Sequence, residues 1–144
     1  MILTRRAAVR LAFALACAAP GCRPDASTAR GTVERFLDAH YVQIDLPAAL
    51  PFTTGLARQK VEEEIRLVAG QEIDAATRKP RVHYRLLETH PEGESAVSYL
   101  YRGDIRVDDA DSIEHRWLVT VRSEDGAWRV TNYQEYEGAR DAGG

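Results

Sequence analysis

The chain has 144 residues, 19 basic and 22 acidic side chains, a formal net charge of −3 and two cysteines. That length fits one domain with one core. The lack of a lysine- or arginine-rich block argues against nucleic-acid binding. No metal spacing such as paired C-x-x-C and no cofactor motif is present.

The first ten residues, MILTRRAAVR, carry Arg5, Arg6 and Arg10 and no acid. An apolar run, LAFALACAAPG, follows to Gly21. A basic start, a short greasy core and small residues before a cleavage point describe an export signal over residues 1–21. The run is about half of the roughly 20 residues a helix needs to span a bilayer. Both cysteines, Cys17 and Cys22, fall in LACAAPGC, and none follows. A disulfide between them would staple only a cleaved leader. The stretch APGC resembles the lipobox of bacterial lipoproteins, which implies that Cys22 becomes the first mature residue and carries lipid. Ala19 and Pro20 depart from its commonest form. Cys17 is the competing site, but it would leave six apolar residues after Arg10, short of the usual core of about 7–15. TRRAAVR is also similar to the twin-arginine export motif, with Ala8 in place of phenylalanine. Without residues 1–21, sixteen basic residues face 22 acidic ones, a net charge of −6. The expectation is an exported protein held at a membrane of the cell envelope by lipid on Cys22, facing the periplasm in a Gram-negative cell.

Residues 22–30 read as a polar tether, whose RPDAST portion reaches about 20 Å when extended. From Thr32 to Ile44, Val33, Phe36, Leu37, His40, Tyr41 and Ile44 form one helical stripe. Asp45 then caps a short helix with Pro47 in its first turn. PFTTG breaks it. A second long helix runs from about Leu56 to Ala69, with Ala57, Val61, Ile65 and Val68 on one face and Glu62 to Glu64 mostly off it. Gly70 is a natural stop, and an irregular connection leads to Lys79.

After Pro80 the apolar period changes from 3.6 to 2. Four strands are expected: Arg81–His90, Ser95–Val107, Ile113–Ser123 and Ala127–Glu137. The turns between them are PEGE, DDADS and EDGA, and Asp125-Gly126 is the strongest hairpin signal. Symmetric hairpins give cross-strand rows. Leu86, Tyr99, Val121 and Val130 form one, and Tyr84, Tyr101, Val119 and Asn132 the next. Val82, Gly103, Trp117 and Gln134 follow, then Ile105, His115 and Tyr136. All lie on one face, with Trp128 beside Val130. The other face pairs Asp104 with Arg116, Arg106 with Glu114 and Thr120 with Thr131, as suits a wet surface. Gly103 marks a bulge. Leu87, Leu100, Leu118 and Tyr133 leave an apolar patch outside, a candidate homodimer contact. The fold class is α+β, with N-terminal helices on the concave face of a curved antiparallel sheet of about four strands. The domain spans residues 31–137, before a disordered tail at 138–144.

The stretch TVERFLDAHYVQIDLPAALPFTTGLARQKVEEE resembles the opening of the nuclear transport factor 2-like superfamily. DGAWRVTNYQEYE is similar to the last two strands of its small exported members. The resemblance covers about residues 30–137 and implies a cone with a pocket between the first helix and the concave sheet. The superfamily holds isomerases, dehydratases and cyclases beside binding and dimerisation modules, so the fold alone does not choose. The expected pocket wall is Tyr84, Tyr99, Tyr101, His115, Trp117, Asn132 and Gln134. Aromatic walls with polar tips suit a mostly apolar small molecule. An isomerase-type site needs a carboxylate base on that wall, and the sequence places none there. Glu88 lies near a turn, Asp38 points about 130° from the helix stripe, and Asp104, Glu114 and Glu135 are outside. Binding of a small apolar ligand or a protein partner without catalysis is therefore expected. The alternative is a small acid–base enzyme, isomerase- or dehydratase-like, working through His40 and His115.

Overall fold

The computed structural model describes residues 23–71, 79–108 and 111–138. The expected leader and the tail beyond Gly138 lie outside the described residues. Helix α1 (Ala29–Leu37) leads into a π-helical turn at Asp38–Val42. A short α2 (Leu46–Ala49), a 3-10 turn at Leu50–Phe52 and α3 (Gly55–Val68) follow. Strands β1 (Arg81–Pro91), β2 (Ala96–Arg106), β3 (Ile113–Glu124) and β4 (Ala127–Glu137) form one antiparallel sheet in chain order. The α+β class is as expected, with the helices preceding a curved, open sheet.

Helix α1 begins earlier than its stripe suggested. Thr28 caps it by accepting from Gly31 N–H at 2.9 Å. Thr32 Oγ1 reaches back to Ala26 O at 2.9 Å. A Cβ at Gly31 would stand 1.7 Å from Asp25 O, so only glycine lets the chain pack there. Residues 25–28 are therefore folded against the helix rather than stretched as a tether.

The core lies between the helices and the concave face. Val33, Phe36 and Leu37 from α1 and Ala57 and Val61 from α3 meet Tyr101, Trp117, Val119, Val121 and Val130, all fully buried. Trp128 packs against this core from a half-buried position opposite Ser123. The hairpin at Asp125-Gly126 takes positive φ at both residues, 51° and 78°, the mirror-image turn that matches strand twist.

The register departs from symmetry in three ways. Between β2 and β3, Val97, not Tyr99, faces Val121. That two-residue shift keeps each side chain on its face. Between β1 and β2 a bulge at Leu87 separates Leu86, opposite Tyr101, from Glu88, opposite Leu100. Glu88 thus leaves the concave side. Between β3 and β4 a bulge follows Val130, so Val119 faces Tyr133 rather than Asn132. Everything after it on β4 changes face. Tyr133 becomes core, 6% exposed. Gln134 faces Leu118, Tyr136 faces Arg116 and Glu135 faces Trp117.

Gly103 is not the bulge. It is needed because Trp117 lies across it, with Cη2 2.2 Å from where a Cβ would stand. Outside, Asp104 faces Glu114 and Arg102 faces Arg116. The ion pairs run diagonally and along the strand instead, with Arg102 3.1 Å from Glu114 on β3 and 3.2 Å from Asp104 on its own β2. The outer apolar patch loses Tyr133 and keeps the directly opposed Leu100 and Leu118.

Candidate functional site

The C-terminal ends of α1 and α3, the start of β1 and the end of β2 meet at one end of the cone, its mouth. There the π turn closes a Gln43 N–H to Asp38 O bond of 2.8 Å. Such a turn adds a residue to the helical ladder, a feature frequent at functional sites. The wider turn brings the neighbours His40 and Tyr41 onto the sheet. Tyr41 stacks on Trp117 at 4.3 Å and 18°, and His40 lies 4.2 Å from Tyr41. Ile44, next in the chain, has φ of 54°. For a β-branched residue this left-handed backbone is strained, by about 1–3 kcal/mol.

A pocket of about 390 Å³ opens at the mouth. Its walls are Tyr41, Ile44, Leu46, Leu67, Val68, Pro80, Val82 and Ile105, and its polar floor is His40 and Glu64. Glu64 is the carboxylate missing from the sequence reading. It comes from α3, whose Ala57 and Val61 share its face seven and three residues earlier, so the helical spacing already contained it. One oxygen accepts from Tyr133 Oη at 2.6 Å and the other lies 2.6 Å from His40 Nε2. Burial alone would raise its pKa. Hydrogen bonds from His40 and Tyr133 and the charges of His40 and Lys60 outweigh that and hold it below the usual carboxylate range. Burial, and then the Glu64 bond, push the Tyr133 phenol up. Lys60 Nζ is fixed by Tyr133 O at 2.7 Å and Asn132 Oδ1 at 2.8 Å.

The residues expected on the wall take other places. Tyr101 Oη donates to Glu34 Oε1 at 3.1 Å and Tyr84 Oη to Asp38 Oδ1 at 2.7 Å. Both rings fill the space beneath α1, and Asp38 faces β1 rather than pointing away. Burial first, then these acids, raise both phenols. Tyr99 and Trp117 are core. Asn132 and Gln134 are on the outer face, because the β4 bulge turned them over. The same bulge brings Glu135 inward, its Oε1 2.8 Å from His115 Nδ1 but out of line for a hydrogen bond. His40 and His115 therefore each sit beside an acid, and His115 does not line the pocket that His40 lines.

Among the described residues, the buried side-chain polar atoms without a hydrogen-bond partner are His40 Nδ1, Tyr41 Oη, His115 Nδ1 and Trp117 Nε1. All four belong to this end of the cone. Each such atom costs about 1–3 kcal/mol if left dry. No group of three His, Cys, Asp or Glu among the described residues could hold a metal ion.

Solved structures share the fold. A calcium/calmodulin-dependent protein kinase type II association-domain protein of Thiobacillus denitrificans superposes with a TM-score of 0.59 at 14% identity, covering 77% of this chain and 95% of that one. A ketosteroid isomerase-like protein of Erwinia carotovora atroseptica gives 0.55 at 14%, covering 80% and 97%. VirB8 of Agrobacterium tumefaciens gives 0.52 at 14%, covering 77% and 91%. The chain has the nuclear transport factor 2-like fold. No family model and no curated protein matches the sequence. The neighbours of this fold include isomerase-like and association-domain proteins, so the likeness establishes the nuclear transport factor 2-like architecture and not a reaction.

Proposed function

We propose that this protein is an exported envelope lipoprotein, anchored through lipid on Cys22, whose cone holds a small, mostly apolar molecule in the mouth pocket without turning it over. The observation that carries this reading is the pocket itself, about 390 Å³ with aliphatic walls around one polar floor. Its volume is in the usual range for small-molecule sites, about 300–1,000 Å³. A carboxylate is present, but both of its oxygens are engaged and its affinity for a proton is lowered. A general base needs a pKa near the working pH and reach to the substrate proton. Glu64 instead fixes the Nε2 side of His40, so a ligand's polar group would meet a braced imidazole.

The test begins with the protein purified from its membrane fraction. Native mass spectrometry reads lipid on Cys22, oligomeric state and retained ligand together. Titration with the neutral fluorophore N-phenyl-1-naphthylamine then measures the pocket. Val82→Glu, which puts a charge in the wall, is expected to weaken binding at least about tenfold, or 1.4 kcal/mol, in a variant whose far-ultraviolet circular dichroism shows that it remains folded despite a lower melting temperature. Unchanged binding would remove the pocket assignment. A turnover found by screening and lost in Glu64→Gln with binding retained would make the protein an enzyme. Self-association through Leu100 and Leu118 belongs to the same reading, and a concentration-independent monomer mass in sedimentation would end that part.

A further inference from the structure

We propose that the mouth pocket selects an apolar molecule carrying a protonated amine, and that Glu64 receives that cationic head. This rests on the ligand-binding reading of the pocket given above.

The side chains described around the pocket offer an acceptor and no free donor. Its aliphatic walls have neither. Tyr41 Oη is buried, so the wall presents the ring and not the hydroxyl. The Nε2 of His40 is taken up by Glu64 at 2.6 Å, and its Nδ1 is buried. No lysine or arginine is among the lining residues. Lys60, the cation that acts on Glu64, is spent elsewhere, since its Nζ donates to Tyr133 O and Asn132 Oδ1.

Within the polar floor the acid is the outer member. The Glu64 side chain is 35% exposed and that of His40 is 8%. A polar group entering the pocket therefore reaches the carboxylate first, with the imidazole behind it. An ionised carboxylate has about four lone-pair sites and no proton to give. His40 and Tyr133 each use one oxygen, which leaves a free site on both. A head that meets Glu64 must donate. Ketones and esters only accept, so they would be left unpaired. A carboxylate head would also face a like charge.

Charge decides between the donating heads. Burial already strips part of the water from Glu64, and an occupant would strip more. Drying an ionised carboxylate without an opposite charge is costly. Charged N–H donors form shorter and stronger bonds to it than neutral ones do. An ammonium therefore offsets what a hydroxyl offsets only in part. The apolar body has room beside the floor. Ile44, Leu46 and Val68 also line an adjoining pocket of about 330 Å³, walled otherwise by Pro47, Ile65 and the end of α3.

The experiment displaces N-phenyl-1-naphthylamine from the full chain at neutral pH. Decylamine, decanol and decanoate share one chain length and differ only in the head, and each is used below its aggregation concentration. Decylamine is expected to displace the fluorophore at a concentration at least about tenfold lower than decanoate, with decanol between them. Glu64→Gln, shown to be folded by circular dichroism, is expected to bring the two within about twofold, and Glu64→Asp to keep the order. Decanoate displacing as well as decylamine, with the fluorophore bound, would overturn the head-group assignment alone. A gap that survives in folded Glu64→Gln would overturn the role of Glu64. No fluorophore binding to the wild type would overturn the pocket reading and this proposal with it. The wild-type order can overturn the proposal without any variant, so it stays testable should Glu64→Gln fail to fold.

Discussion

The two ends of the cone obey different rules. Away from the mouth Val33, Val61, Val121 and Val130 are fully buried and wholly apolar, and buried Phe36 joins them to His40 and Tyr133. At the mouth, within a few residues, stand a π turn, an isoleucine at positive φ, four unpartnered polar atoms and a paired carboxylate. Both ends were built from the same two helices and the same sheet. Local propensity, patterning and polar satisfaction agree at the first and conflict at the second, and such conflict is expected where a fold is shaped for something other than its own stability. The energy for it must come from the closed end.

The largest effect should therefore be in the apolar packing behind the mouth. Phe36→Ala removes a fully buried ring from α1 and is expected to cost about 3–5 kcal/mol, read as a lower urea midpoint. A cost under about 1 kcal/mol would mean that stability is not concentrated there. The boundary between the ends is Trp117, lying over Gly103. Gly103→Ala drives a methyl into that ring and should cost about 1–3 kcal/mol. It should also loosen the Tyr41 stack, so near-ultraviolet circular dichroism of the tryptophan should change with it. A neutral Gly103→Ala would show that the ring can move freely and that the two ends are not mechanically joined.

Glu64 offers a test that depends on pH. Its folded pKa lies below the unfolded value, 4.5. Its contribution is thus full above the unfolded value and is lost as pH falls through the folded one. Wild type should lose stability over that acid range more steeply than Glu64→Gln, when melting is followed from neutral pH downward. The half-exposed position of the side chain keeps the effect modest. Parallel curves would mean that the His40 and Tyr133 contacts do not bias the carboxylate.

The same contrast governs what the sequence could reveal. Strand limits were legible to within a residue or two, because a two-residue period bounded by Gly, Asp and Pro turns is a local signal. Faces were legible as far as Val130 on β4 and Leu86 on β1. Beyond each, one inserted residue inverts alternation, and symmetric counting from a hairpin cannot see it. The clue was in the spacing: Trp128, Val130 and Tyr133 are offset by two and then three, so the break in period itself marks the bulge. The candidate site suffered most, since Glu135, Asn132 and Gln134 all lie past it. Glu64 was missed for a different reason. Three consecutive glutamates look like a solvated helix surface, yet successive residues point about 100° apart, and the third of them shares the stripe of Val61. The contact of Asp38 with Tyr84 depends on how the π turn seats α1 on β1, which no local pattern encodes.

The smallest expected effect is at Leu67, and it sharpens the comparison most. A leucine exposed to 70% adds almost nothing to the folded state, because little of its surface leaves water on folding. Leu67→Ser is accordingly expected to shift the stability by less than about 0.5 kcal/mol, against several for Phe36→Ala. Helix propensity works slightly against serine, so a small loss is expected rather than a gain. The same substitution should visibly weaken uptake of the apolar fluorophore, since Leu67 forms part of the pocket wall. Binding and stability would then separate at one residue. Urea titration of the two variants side by side, with fluorophore binding measured on each, reads both quantities. A stability loss above about 1 kcal/mol for Leu67→Ser would mean that this side chain is covered in solution. The mouth would then be a second piece of core, and the division between the two ends would not hold.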